Sequence, residues 1–181
     1  MLERPAGEGM GKFGDINYVK GMNAEGVAHL LGKPFTDPSC GRYLADLGLI
    51  MGLLPPPPGR ILDLGVGSGW TTVFLARRGY EAIGQDICPE MIQLAEQNRE
   101  RMEAKSASFV TQDYESLGFR DEFDAAIFYD SLHHAEDERA ALAAVFAALK
   151  PGGVCITVEP GEGHAAASAR TVATFGVTEK D

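Results

Sequence analysis

The sequence predicts an α/β fold built on a doubly wound, mainly parallel sheet. Two observations carry that prediction. After residue 59, short apolar runs suited to strands alternate with helical stretches, and the first run enters a glycine turn that opens directly into a helix. A third observation bounds it: 181 residues with 45% hydrophobic and 23% charged side chains make one domain of ordinary globular composition. A chain of this length buries enough surface to need no metal or disulfide staple.

Residues 1–36 are rich in glycine and weakly periodic, and are expected to form a mobile arm with one short helix around Ala24–Leu31. Next, Asp37 or Ser39 can cap a helix whose Tyr43, Leu44, Leu47, Ile50, Met51 and Leu54 form an apolar stripe. Pro55–Pro58 stop it, because a run without amide donors joins neither a helix nor a central strand and makes a stiff connector. The expected organisation is an N-terminal arm and helix over 1–54 (a candidate lid), a connector over 55–59, and a ligand-binding core over 60–181.

Within that core, Arg60–Leu64 reads as a buried strand, Gly65–Gly69 as the turn, and Trp70–Arg78 as the helix it opens. Tyr80–Gln85 is a second strand. Pro89 suits a first helical turn and starts a helix to about Ala104, with Met91, Leu94, Ala95 and Met102 on one face. Ala107–Thr111 and Phe123–Tyr129 are the third and fourth strands. Glu136–Lys150 reads as an amphipathic helix whose Leu142, Val145, Phe146 and Leu149 recur at helical spacing, which assigns all four to the core. Pro151-Gly152-Gly153 ends it, and Val154–Val158 is a fifth strand.

Charge and cysteine usage exclude other classes. With 16 Lys and Arg against 26 Asp and Glu the net charge is −10, which argues against a general affinity for nucleic-acid backbones. Cys40, Cys88 and Cys155 are scattered and never in CxxC spacing, so neither a disulfide framework nor a metal site is expected. No stretch resembles a signal peptide or approaches the ~18 apolar residues of a membrane span, and the expected setting is cytoplasmic.

The chemistry starts at Ile61-Leu62-Asp63-Leu64-Gly65-Val66-Gly67-Ser68-Gly69-Trp70. A strand running into a glycine turn and then a helix aims backbone amides at whatever lies above the strand ends. The spacing is G-x-G-x-G, and Trp70 stands at the third-glycine position of a dinucleotide-binding loop, which argues against a nicotinamide dehydrogenase. Asp63, two places before the first glycine, would repel a pyrophosphate but suits the ammonium of an amino acid. Asp86 ends the second strand 23 residues further on, where a carboxylate accepts both hydroxyls of a ribose. Asp113, just past the third strand, can accept from an adenine amino group. Together these positions read an amino acid, a ribose and an adenine along one crevice.

RILDLGVGSGW, AIGQDICPEMIQLAEQN, VTQDYESL, FDAAIFYDSLHH and LKPGGVCITVEP resemble, in order and spacing, the successive motifs of the class I S-adenosylmethionine-dependent methyltransferases. The resemblance covers roughly residues 58–160. It implies a Rossmann-like methyltransferase fold with S-adenosylmethionine as cofactor. It also implies a cofactor-binding set: Asp63, Gly65, Val66, Gly67 and Gly69 at the methionine end, Asp86 and Ile87 at the ribose and adenine, Asp113 and Tyr114 at the adenine edge, and Asp130 and Ser131 near the reactive methyl. Family members end in two further strands forming an edge hairpin. Only 22 residues follow Glu159, so those last two strands are expected to be lacking, through a shortened fold or a sequence that is part of a longer one.

Candidates for proton transfer are His133 and His134 after the fourth strand, and Glu159 and His164 after the fifth. Trp70 reads as packing at a helix start. Ser-Leu-His follows Asp130 in place of the Pro-Pro-aromatic run of many amide and nucleobase N-methyltransferases. With the acidic charge, this points to a small-molecule acceptor. The alternative is a non-catalytic S-adenosylmethionine-binding or partner-binding domain, which would carry the same motifs.

Overall fold

A computed structural model describes residues 10–161. Five parallel strands form one sheet in the order β3-β2-β1-β4-β5, with β1 Arg60–Leu64, β2 Glu81–Asp86, β3 Ala107–Thr111, β4 Phe123–Tyr129 and β5 Leu149–Val158. The described helices are α1 Met10–Ile16, α2 Ala24–Gly32, α3 Cys40–Leu53, α4 Trp70–Arg78, α5 Pro89–Arg101 and α6 Glu138–Ala148. None is long and apolar enough to cross a membrane.

The central strands are buried on both sides because alternate side chains point to opposite faces. Ile61, Ala125 and Ile127 pack with Ile50 of α3 and with Val73 and Leu75 of α4. Leu62, Leu64, Ala126 and Phe128 pack instead with Ala141, Val145 and Ala148 of α6. Tyr80 ties the proline connector to the first of these layers, its hydroxyl donating to the Pro55 carbonyl at 2.7 Å.

Several sequence expectations need correction. On α6, Leu142 and Phe146 are not core: they are 42% and 82% exposed, and the buried stripe is Ala141, Val145 and Ala148. Alanines let this helix lie close to the sheet, so the large residues on the neighbouring stripe turn outward. Leu149 is buried, but it already belongs to β5, which begins where the helix ends. Register accounts for the longer strand: Leu149 pairs with Phe123 and Val154 with Ala125, the chain through Pro151-Gly152-Gly153 forming an irregularity rather than a stop. Leu44, expected in the buried stripe of α3, is 38% exposed.

The N-terminal region is also more structured than a bare arm. Residues 10–36 hold α1, a 3₁₀ turn at Val19–Gly21, and α2 capped by Asn23, whose side chain accepts from the Gly26 amide at 2.8 Å. Leu30 packs on Cys88, Met91 and Leu94, and its carbonyl accepts from the Ser68 hydroxyl at 2.7 Å. This docking brings the N-terminal region to the ends of β1 and β2.

Candidate active site

In an open parallel sheet, ligands bind beyond the carboxyl ends of the strands where the strand order reverses. Here that point lies between β1 and β4, and a cavity of about 230 Å³ opens there. The turns after β1, β2, β3 and β4 all contribute to its lining. The described N-terminal segment adds Lys12, Asp15, Tyr18, Leu30, Lys33 and Tyr43.

The turn after β1 takes the glycine path that its sequence implies. Gly65 has φ +67°, and a Cβ there would stand 2.5 Å from the Ser131 Cβ. Gly67 has φ +54°, while the nearest atom to a Cβ is the Met91 sulfur at 4.0 Å. At Gly67, then, backbone conformation rather than crowding selects glycine, and the space beside it stays open. The Gly65 and Val66 amides donate to the Gln85 carbonyl at 2.8 and 3.1 Å, tying the loop to β2.

The three acids read from the sequence, Asp63, Asp86 and Asp113, all face this cavity. Asp63 is 1% exposed, and its Oδ2 accepts from the Thr71 and Thr72 hydroxyls at 2.6 and 2.7 Å. Burial pushes its carboxyl up to about 6, against the lowering effect of those two bonds. The Asp86 Oδ2 accepts from the Gly67 amide at 2.7 Å and its Oδ1 from the Cys88 amide at 2.9 Å. Burial lifts Asp86 to about 6 as well. Asp86 therefore braces the turns after both β1 and β2 while facing the cavity.

Asp113 does two jobs: its Oδ1 accepts from the Glu115 amide at 2.9 Å, and its Oδ2 pairs with Lys12 at 2.5 Å. Lys12 also reaches Glu115 at 3.0 Å. The Tyr114 hydroxyl donates to the Ser131 carbonyl at 3.1 Å, and burial raises that phenol. Ser131 donates in turn to the Leu64 carbonyl at 2.8 Å, and Asp130 lines the cavity with φ +56°. Val66 and Ile87 complete this part of the wall.

The proton-transfer candidates separate. His134 lines the cavity, its Nδ1 3.3 Å from the Asp15 Oδ1. His133 and Glu159 are not among the lining residues; their Nδ1 and Oε2 lie 2.6 Å apart, and the Glu159 Oε1 accepts from the Leu132 amide at 3.0 Å. Burial alone would raise Glu159, but the His133 and Leu132 bonds hold it below the ordinary carboxylate value. The two histidine rings sit 4.2 Å apart, so the Glu159 pair buttresses His134. His164 lies outside the described residues. Sequence reasoning missed Lys12, Asp15, Lys33, Tyr43 and Tyr129 and gave Trp70 only a packing role. Trp70 in fact packs on Tyr43 and Tyr129 and also lines the cavity.

A parallel sheet with a G-x-G-x-G turn after its first strand and a buried acid ending the second, both facing one cavity, defines a binder of an adenosyl amino acid. The residues present fit that group: open space beside Gly67, and two separate carboxylates, Asp63 and Asp86, facing the cavity as acceptors suited to an ammonium and to ribose hydroxyls. Residues 62–157 match the family described as methyltransferase domain, and the chain belongs to that family, whose cofactor is S-adenosylmethionine. The chain is 33% identical over 116 residues to the tRNA 5-carboxymethoxyuridine methyltransferase of Escherichia coli, a match covering 60% of this chain and 43% of that protein. It is 36% identical over 96 residues to the ubiquinone biosynthesis O-methyltransferase of Alkalilimnicola ehrlichii, covering 52% and 38%. The chain thus spans about two fifths of the length of these curated relatives. In fold it is similar to the magnesium protoporphyrin IX methyltransferase of Synechocystis solved with S-adenosylmethionine bound, with a TM-score of 0.67 at 21% identity over 80% of this chain and 74% of that one.

Proposed function

We propose that the chain transfers the methyl group of S-adenosylmethionine to a small-molecule acceptor, with His134 as general base and the N-terminal segment as a lid. The observation that carries this reading is the roof of the cavity. Lys12 bridges to Asp113 and Glu115 on one side of it, and Asp15 lies against His134 on another. An acceptor seated beneath such a roof must be small, and a chain of net charge −10 is poorly suited to hold a nucleic-acid backbone. A cytoplasmic setting is consistent with this reading.

When bound, the cofactor supplies an electrophilic methyl on a sulfonium. The chain supplies alignment and dryness. Asp86 accepts from the ribose hydroxyls while its bond to the Gly67 amide fixes the loop. Asp63 offers a carboxylate toward the ammonium, and Asp113 and Tyr114 border the adenine. Asp130 and Ser131 border the reacting centre, where Ser131 is held in place by the Leu64 carbonyl. His134 takes the acceptor's proton at Nε2, with Asp15 on the Nδ1 side orienting the ring and stabilising the charge that forms.

The test pairs binding with turnover. Radiolabelled S-adenosylmethionine is offered to the protein with a small-molecule extract and, separately, with total RNA. Label should enter the small-molecule fraction, and His134→Gln should lower that transfer by roughly 10²–10⁴-fold while S-adenosylhomocysteine still binds. Label entering RNA instead, or an unaltered rate in the variant, overturns the reading.

A further inference from the structure

β5 is an edge strand: it pairs with β4 on one side, and among the described residues no strand lies on the other. The Val158 carbonyl accepts from the Asp130 amide at 2.7 Å, so the backbone of Val158 is turned toward β4. Peptide groups alternate along a strand, which leaves the amides and carbonyls of Cys155 and Thr157 on the open side. Both residues are exposed. Residues 154–158 hold none of the charges or prolines that usually guard such an edge against another strand.

The sequence of that edge says what kind of strand fits it. Val154-Cys155-Ile156-Thr157-Val158 is symmetric in character about Ile156. Antiparallel pairing around a two-fold axis at Ile156 sets Cys155 opposite Thr157 of a second copy. These are the residues whose peptide groups face outward, so each such pair exchanges both of its hydrogen bonds. Val154 then meets Val158, and Ile156 meets its own counterpart, on the face where Ile156 and Val158 pack near Ile50 and Leu54 of α3. No charge opposes its like in this pairing, whereas a chain of net charge −10 repels a second copy over most of its surface. A strand pair alone buries too little for a lasting dimer. Further apolar area is at hand on α3, where Leu49 and Leu53 are 70% and 67% exposed and the space beside Gly48 and Gly52 is open.

We infer that β5 and the outer face of α3 form the interface of a symmetric homodimer, in which two five-stranded sheets join edge to edge through antiparallel β5 strands. The surface lies away from the cavity: neither Leu49, Leu53 nor any of residues 154–158 lines it. The second copy therefore contributes no group to the reacting centre.

Sedimentation velocity on the full chain at about 50 μM should show a dimer, for an affinity in the micromolar range. Cys155→Pro removes only an outward amide, and Leu49→Glu combined with Leu53→Glu alters only exposed positions; each should give a monomer that still unfolds cooperatively. Covalent trapping reads the register. In a Cys155→Ser background, Ile156→Cys should form a disulfide-linked dimer in oxidised glutathione, because the two-fold pair brings its Cα atoms to about 4.5 Å. Val154→Cys in the same background should not, since it faces position 158. If Cys155→Pro fails to fold, the leucine variant and the trapping decide. A monomer at every concentration, as follows if a segment of the same chain takes this edge, overturns the proposal. So does a dimer that both variants leave intact, or trapping at position 154 and not at 156.

Discussion

The affinity for S-adenosylhomocysteine should drop steeply below about pH 6. Asp63 and Asp86 are 1% and 9% exposed, and burial lifts each carboxyl from 3.8 to about 6 in the ligand-free protein. In the proposed binding roles each is ionised, so apparent affinity is expected to scale with the ionised fraction. A group with a pKa near 6 is about one-tenth ionised at about pH 5, a tenfold loss for one acid and about a hundredfold for two acting independently. Stability moves the other way. The folded pKa lies above the unfolded value, so the folded chain binds more protons between 3.8 and about 6, and ligand-free stability falls as pH rises through that window. Asp86→Asn isolates one acid. The pH dependence should shrink toward the tenfold expected of Asp63 alone, and plateau affinity should weaken by about 30-fold for a net loss of ~2 kcal/mol in charge-assisted bonds to ribose. Asn is preferred to Ala because it keeps one acceptor oxygen for the two amides, of Gly67 and Cys88, that donate to this side chain. Calorimetry at about pH 5, 6 and 7.5 reads both effects. A wild-type Kd constant within about twofold over that range refutes the reasoning.

Three further outcomes are expected. Gly65→Ala should cost more than ~2 kcal/mol of stability in denaturant titration, because it combines positive φ with a 2.5 Å approach to the Ser131 Cβ, and Ser131→Gly should recover part of that loss. Phe146→Lys should change the unfolding midpoint little, within about ±0.5 kcal/mol, whereas Val145→Ala should cost about 2 kcal/mol. Removing residues 1–20 should leave measurable cofactor binding while raising the ligand dissociation rate in stopped-flow and abolishing methyl transfer; normal turnover by the truncated chain rules out a lid.

The sheet and the turn after β1 were legible because their residues answer local demands. Only glycine suits Gly65 and Gly67 well, and parallel central strands need unbroken apolar runs. The error on α6 has a physical origin. A search for large apolar residues at helical spacing picks out Leu142 and Phe146, yet the stripe that touches the sheet is mostly alanine, which periodicity of size cannot reveal. Asp63, Asp86 and Asp113 could be found because each lies at a strand end, where sequence position fixes spatial position. Lys12, Asp15, Lys33 and Tyr43 could not. They reach the cavity through tertiary contacts with no local signature: Lys33 through the docking of α2 on α5, Lys12 and Asp15 through ion pairs of α1 with Asp113 and His134, and Tyr43 through the packing of α3 on Trp70 and Tyr129.

Three amides in succession, those of Gly65, Val66 and Gly67, are already engaged by Gln85 and Asp86 in the ligand-free chain. An arriving nucleoside therefore meets a loop whose conformational entropy was surrendered during folding, and little of its binding energy is spent on ordering this part of the wall. On the proposed reading, the part of the wall that moves is the lid. Association should then proceed in two kinetic stages, a rapid seating against the glycine loop followed by a slower rearrangement of the roof.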